Sequence, residues 1–306
     1  MISKHTEAGV TWVDMERPTH DEIHAVMAEW SIHPLIGEEL LARNVRLRSA
    51  THGNFVFFNL LFPVLHRKLS GRSLEQNEIG FVIGTNVIVT VRHAPIDALH
   101  QFAKLFEVDS ILSRNGMGSN AGFVFFHMMR LLYDRLLHEL DSLGDSVRII
   151  EEQIFKGRER AMVLKISEVA RELVDAKRVL RPHREILQMF ESAGRRFFGE
   201  DFSYYSQAII SEYDKVHSTL TSITESVAEL RETNNSLLTT KENETMKRIA
   251  IIAFLSLPAS VITGFFQMST VHTPLVGQPN DWLIIMLIMF DITIFLFAAA
   301  KMRKWF

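Results

Sequence analysis

Residues 243–269 read NETMKRIAIIAFLSLPASVITGFFQMS. Between Ile249 and Phe266 there is no Asp, Glu, Lys or Arg, and a helix needs roughly 20 apolar residues, at 1.5 Å rise each, to cross a hydrocarbon core about 30 Å thick. The stretch predicts a transmembrane helix. Residues 282–300, WLIIMLIMFDITIFLFAAA, are broken only by Asp291 and predict a second. Lys and Arg near span ends stay on the cytoplasmic side. Lys241, Lys247 and Arg248 flank the first span, Lys301, Arg303 and Lys304 follow the second, and the connecting loop has neither Lys nor Arg. Both termini are therefore expected in the cytoplasm, with the loop outside. The first span lies too far along the chain for a signal peptide, and the opening residues show no signal-like apolar run.

The remainder is charged and periodic, as a water-facing body should be. The 306 residues are 47% hydrophobic, enough for one sizeable core besides the two spans. A net charge of −3 leaves no electrostatic footprint for nucleic acid, and with no cysteine there are no disulfides and no thiolate metal sites. No P-loop, glycine-rich nucleotide fingerprint or nucleophile elbow occurs, so nucleotide-driven pumping and enzyme chemistry have no support in the sequence.

Residues 1–122 read as a mixed α/β domain. Strands are expected at 11–14, 54–65, 78–83 and 87–91, where branched and aromatic residues concentrate. Thr19 with Glu22 three residues on is a capping box that opens a helix. From 123 to 204 the spacing is helical, with helices expected at 123–155, 163–180 and 183–190, the last two separated at Arg181-Pro182. A periodic run beginning near Tyr205 then enters the membrane without a breaker. Val216, Ile223, Leu230 and Leu237, with Leu220, Val227 and Asn234 between them, have coiled-coil spacing. A stalk and first span over 205–268, an outer loop over 269–281, the second span over 282–300 and a basic tail over 301–306 complete the order.

Within the first span, Asn243, Met246, Ala253, Leu257, Ser260 and Gly264 recur at three-, four- or seven-residue steps and form one face of small and polar residues. Such a face lets helices pack closely in lipid. Because it continues into the stalk, it is expected on the axis of a symmetric homo-oligomer.

The order and spacing of these residues resemble the CorA-type family of divalent-cation transporters. The resemblance rests on Asn243-Glu244-Thr245-Met246-Lys247-Arg248-Ile249, on Pro258, Ser260, Gly264 and Phe266, and on the basic ending Lys301-Met302-Arg303-Lys304-Trp305-Phe306. In the body it rests on Trp12-Val13-Asp14, Pro18-Thr19, His33-Pro34-Leu35, Thr90-Val91, Pro95 and Leu180-Arg181-Pro182-His183-Arg184-Glu185. It implies an α/β cytoplasmic domain, a long stalk helix and two transmembrane helices, assembled as a funnel-shaped homopentamer in the inner membrane. The transported ion would be a divalent cation, Mg²⁺ or else Zn²⁺, Co²⁺ or Ni²⁺, with no resident cofactor.

In that family a Gly-Met-Asn triplet ends the first span and holds hydrated Mg²⁺ with amide oxygens. Here the triplet is Gln267-Met268-Ser269. Gln267 and Ser269 offer amide and hydroxyl oxygens for a rebuilt collar, or the collar has lost its selectivity. Met246, Ile249 and Leu257 would form the apolar constriction. The competing expectation is a membrane scaffold or sensor that keeps the architecture without transport.

Four further residues complete the candidate set. Glu212 is the one acid left where the family commonly binds regulatory Mg²⁺, or it is a solvated helix residue. His272 and Asp281 lie near the outer mouth; Asp281 either attracts cations there or caps the second span. Asp291 carries a proton or contacts a cation, or else it is a protonated side chain bonded to a first-span hydroxyl, which is the expectation preferred. His20 and His24 have metal-ligand spacing beside Asp21, but a third ligand is not evident and they read as surface residues. Arg43, Arg46 and Arg48 read as a solvated face or an intersubunit ion pair.

Overall fold

The computed structural model describes residues 1–7, 9–41, 49–64, 75–107, 120–267 and 280–302. They divide into two units, Met1–Glu232 and Thr233–Phe306. The first is built on six strands, β1 (Ile2–Glu7), β2 (Val10–Glu16), β3 (Ser49–His52), β4 (Phe55–Val64), β5 (Glu75–Ile83) and β6 (Val87–Arg92). They form one sheet in the order β1-β2-β6-β5-β4-β3, in which only β2 and β6 run parallel. β1 and β3 escape a reading by hydrophobic pattern because they are short, polar edge strands, held by pairing to β2 and β4.

Alternate residues of each strand point to opposite faces, and both faces are covered. Val13, Met15, Val89, Val91 and Phe57 share a core with Ile23, Val26 and Met27 of α1 (His20–Glu29) and Ile36 and Leu40 of α2 (Pro34–Leu41). On the other face Trp12 packs edge-on against Phe102 and Phe106 of α3 (Asp97–Glu107). Phe58 and Phe81 meet Phe125 of α4 (Ala121–Phe155), and Phe58 also meets Phe190 of α6 (His183–Phe198). Burial on both faces is why the central strands read as unbroken apolar runs.

The buried polar residues of β2 and β6 are paired. The Trp12 indole donates to the Thr90 hydroxyl at 2.9 Å, and that hydroxyl donates to Asp14 at 2.7 Å. Arg92, only 2% exposed, donates to Asp14 from Nη2 at 2.9 Å and lies 2.9 Å from Glu16. The parallel register sets Asp14 beside Thr90 and Glu16 beside Arg92.

The helices begin and end for local reasons. Thr19 accepts from the Glu22 amide while Glu22 Oε2 accepts from the Thr19 amide, completing the capping box of α1. Asn120 caps α4 through the Phe123 amide, which moves its start two residues ahead of the expected one. α5 (Glu159–Leu180) gives way to α6 at Pro182, and α6 stops at Gly199, whose φ of 92° suits glycine.

α7 (Phe202–Gln267) is one helix of 66 residues. Its heptad-spaced seam is covered within the protomer. Val216, Leu220, Val227 and Leu230 are buried within the protomer, and a side chain at Gly144 of α4 would sit 3.8 Å from Ile223. Coiled-coil spacing here packs the stalk onto its own chain, because helices of one chain bury the same seam as separate subunits do.

His183 ties four elements together. Its Nε2 donates to the Leu61 carbonyl of β4 at 2.8 Å, so its unprotonated Nδ1 accepts from the Tyr133 hydroxyl of α4 at 2.9 Å, and its ring stacks near Tyr213 of α7. Burial lowers its pKa from 6.5 to about 4, opposed in part by the bond to Leu61. The unfolded chain therefore takes up a proton that the folded chain refuses as the pH falls from about 6.5 to about 4, so stability is lost across that window. At 1.36 kcal/mol per pH unit the loss is roughly 3 kcal/mol. Thermal unfolding in detergent, followed by tryptophan fluorescence, should show this decline. His183→Leu should lower Tm at pH 7.5, by leaving the Leu61 carbonyl and Tyr133 hydroxyl without a partner, and should flatten the decline.

Candidate functional site

Two helices are long and apolar enough to cross a membrane: the C-terminal part of α7, and α8 (Asp281–Met302) from Trp282 onward. Only 6% of the apolar window of each is buried, which distinguishes them from core helices of a water-soluble fold. Within the unit they form, each helix has a partly covered face and an uncovered one. On α7 the covered face is Ile251, Leu255, Pro258, Ala259, Ile262 and Phe266. At 3.6 residues per turn, Asn243, Met246, Ala253, Leu257, Ser260 and Gly264 fall on the opposite side, and all are exposed.

The face of small and polar residues thus lies within the surface that the protomer leaves free, beside Ile252, Phe254, Val261 and Phe265. Met246 is 64% exposed and Leu257 63%, values suited to side chains awaiting a neighbour rather than packed in place. Ala250 belongs to the same face, four residues from Met246 and three from Ala253. Its spacing carried the signal, but an alanine in an apolar run attracts no notice. Ile249, 55% exposed, and Gln267, the last residue of α7, lie at the margin of the face.

The hydroxyls of the span are turned inward on their own backbone. Ser256 donates to Ala253 O at 3.2 Å, Ser260 to Ser256 O at 3.1 Å and Thr263 to Ala259 O at 2.6 Å. Each keeps its oxygen lone pairs, so Ser260 on the uncovered face still accepts a bond from water or from a hydrated cation. Gly264 has no heavy atom within 4 Å of where a Cβ would stand. A glycine leaves room there for close approach by another helix.

The other candidates fall out differently. Met268, Ser269 and His272 lie outside the described residues, as do Arg43, Arg46 and Arg48. Asp281 opens α8, and the Leu283 and Ile284 amides of its first turn bond to the carbonyl of Asn280, the residue before it. Glu212 is ion-paired with Lys215 at 3.0 Å on its own helix. Asp291 is exposed on α8, away from the covered face of Ile285, Met289, Thr293 and Leu296. Its expected bond to a first-span hydroxyl is not formed within the protomer among the described residues, because that side of α8 is uncovered. Among the described residues no group of three or more His, Asp or Glu is placed to hold a metal ion.

Comparison with known proteins bears on this arrangement. The family described as CorA-like Mg²⁺ transporter protein matches residues 7–304. The cobalt/magnesium transport protein CorA of Thermotoga maritima is 20% identical over 296 residues, covering 96% of this chain and 83% of that protein. The zinc transport protein ZntB of Photorhabdus laumondii is 20% identical over 278 residues, covering 89% of this chain and 79% of that one. The solved structure of the CorA magnesium transporter from Methanocaldococcus jannaschii superposes with a TM-score of 0.83 at 17% identity, covering 100% of this chain and 98% of that chain.

The uncovered face generates a direct test, since the chain has no native cysteine to interfere. Under oxidation in membranes, Leu257→Cys and Gly264→Cys should give disulfide-linked dimers on a denaturing gel. Leu255→Cys and Ile262→Cys, from the covered face, should remain monomeric. Equal cross-linking from both faces would remove the assignment of an interface between copies.

Proposed function

The chain belongs to the CorA-like Mg²⁺ transporter protein family, and from that premise we propose that it passes divalent cations through a symmetric homo-oligomer, a pentamer by the family resemblance, with the uncovered face of α7 on the axis. The observation that carries this reading is that Asn243, Met246, Leu257, Ser260 and Gly264 lie together on a side of α7 that the protomer leaves free. A hairpin of two spans encloses no aqueous path by itself. Copies arranged around the free face would.

In that assembly Met246, Ile249 and Leu257 are the apolar constriction, gating by exclusion of water, and Ser260, Gln267 and Ser269 are the polar contacts. Mg²⁺ gives up its waters reluctantly, so a ring of amide and hydroxyl oxygens serves it best by contacting the water shell. The names of the relatives support a divalent cargo, since they specify magnesium, cobalt and zinc. The distribution of Lys and Arg supports cytoplasmic termini, in the inner (plasma) membrane of the cell.

Replacement of the Gly-Met-Asn triplet by Gln267-Met268-Ser269 puts the ion preference at the collar. Flux into proteoliposomes of the purified protein should be selective for divalent ions when Mg²⁺, Zn²⁺, Co²⁺ and Ni²⁺ are compared with a monovalent control. Ser269→Asn should shift the order of preference, and Leu257→Gly should raise leak severalfold by widening the constriction. An intact oligomer that passes no ion, with Leu257→Gly equally silent, would replace this reading with that of a scaffold or sensor.

A further inference from the structure

The first turn of α1 presents two imidazoles that ion permeation along α7 does not use. His20 and His24 are both exposed, and their ring centroids lie 4.3 Å apart with planes inclined at 42°. Residues four apart stand one above the other on a helix face. Two histidines at this spacing are how a helix offers paired nitrogens to zinc in the H-E-x-x-H arrangement. A metal bound about 2.0–2.1 Å from each ring nitrogen needs the rings side by side and neither far apart nor clashing, as they stand here.

The surrounding residues fix both the geometry and the number of ligands. The capping box holds the first turn: the Thr19 hydroxyl accepts from the Glu22 amide at 3.3 Å, and Glu22 Oε2 accepts from the Thr19 amide at 2.8 Å. His20 therefore starts from an anchored backbone. The same box occupies the Glu22 carboxylate, and Asp21, one residue after His20, is rotated to a neighbouring face of the helix. The chain supplies two nitrogens, in keeping with the absence of any three-ligand group among the described residues, and water completes the coordination.

We propose that His20 and His24 form a surface chelate for transition-metal dications of the Zn²⁺, Co²⁺ and Ni²⁺ class, one per protomer. Imidazole suits these ions, whereas Mg²⁺ is held by oxygen and keeps its waters. This site discriminates by ligand chemistry and stands in the Met1–Glu232 unit. It is a second cation site, independent of whether the α7 face conducts.

The test is isothermal titration of the purified full chain in detergent, stripped of metal with EDTA, with NiCl₂ or ZnCl₂ at pH 7.5 in excess MgCl₂. The wild type should bind one more ion per protomer than the His20→Ala/His24→Ala double variant. Each single variant should weaken that binding by at least about tenfold, since disturbing merely the partners of a metal ligand costs roughly 10–100-fold. His33→Ala and His52→Ala, a stacked histidine pair 5.2 Å apart with His33 just ahead of α2 and His52 on β3, should leave it unchanged. Far-UV circular dichroism of the variants should match wild type, because both positions are exposed. Equal stoichiometry in wild type and double variant, absence of transition-metal binding in the wild type, or displacement of Ni²⁺ by equimolar Mg²⁺ would each overturn the proposal.

Discussion

A backbone in hydrocarbon has no water to bond, so every N–H and C=O must find its partner within the segment or a neighbouring one. That constraint organises the C-terminal quarter of this protein. It makes α7 and α8 helices, and it accounts for the habit of Ser256, Ser260 and Thr263, whose hydroxyls donate to carbonyls three or four residues back. It also explains how Pro258 is accommodated. Proline brings no N–H to the helix and would break one in water, yet α7 continues through it to Gln267.

Once the backbone is satisfied internally, side chains alone decide what each helix does next. The N-terminal part of α7 spends its apolar seam inside the protomer: Val216 and Leu220 are fully buried. Beyond residue 240 the helix is exposed on all sides until Ile251, and its later turns leave the small and polar residues free. The heptad-spaced part of the stalk is thereby packed on its own chain. On the spans one side of each helix is left uncovered instead. Asp291 stands on that side of α8, and a carboxyl there costs a few kcal/mol in lipid unless a neighbour or water meets it.

The soluble unit solves a related problem by different means. It too buries polar groups, and at Asp14, Thr90, Arg92 and His183 it pairs them through strand register and helix placement. Asp14 and Arg92 lie in adjacent parallel strands, 78 residues apart in sequence, and hold each other through two nitrogens of one guanidinium. Removing either alone would strand a buried charge, which costs far more than the pair contributes. His183 is held neutral by the same logic, with one ring nitrogen donating and the other accepting.

The sequence alone determined the two spans, the capping box at Thr19, the helical break at Pro182, the family and the polar face of α7. Each depends on hydropathy or on spacing along a single element, quantities that a linear string contains in full. Only the tertiary structure decided that β1 and β3 are strands, since their pattern is weak and their partners supply the hydrogen bonds. It alone decided that the heptad seam packs onto its own chain, because periodicity specifies that a face is buried and is silent about what buries it. It alone placed the rings of His20 and His24 side by side and turned Asp291 to the open side of α8. Burial and partnership are properties of residue pairs, and those pairs are made by the fold.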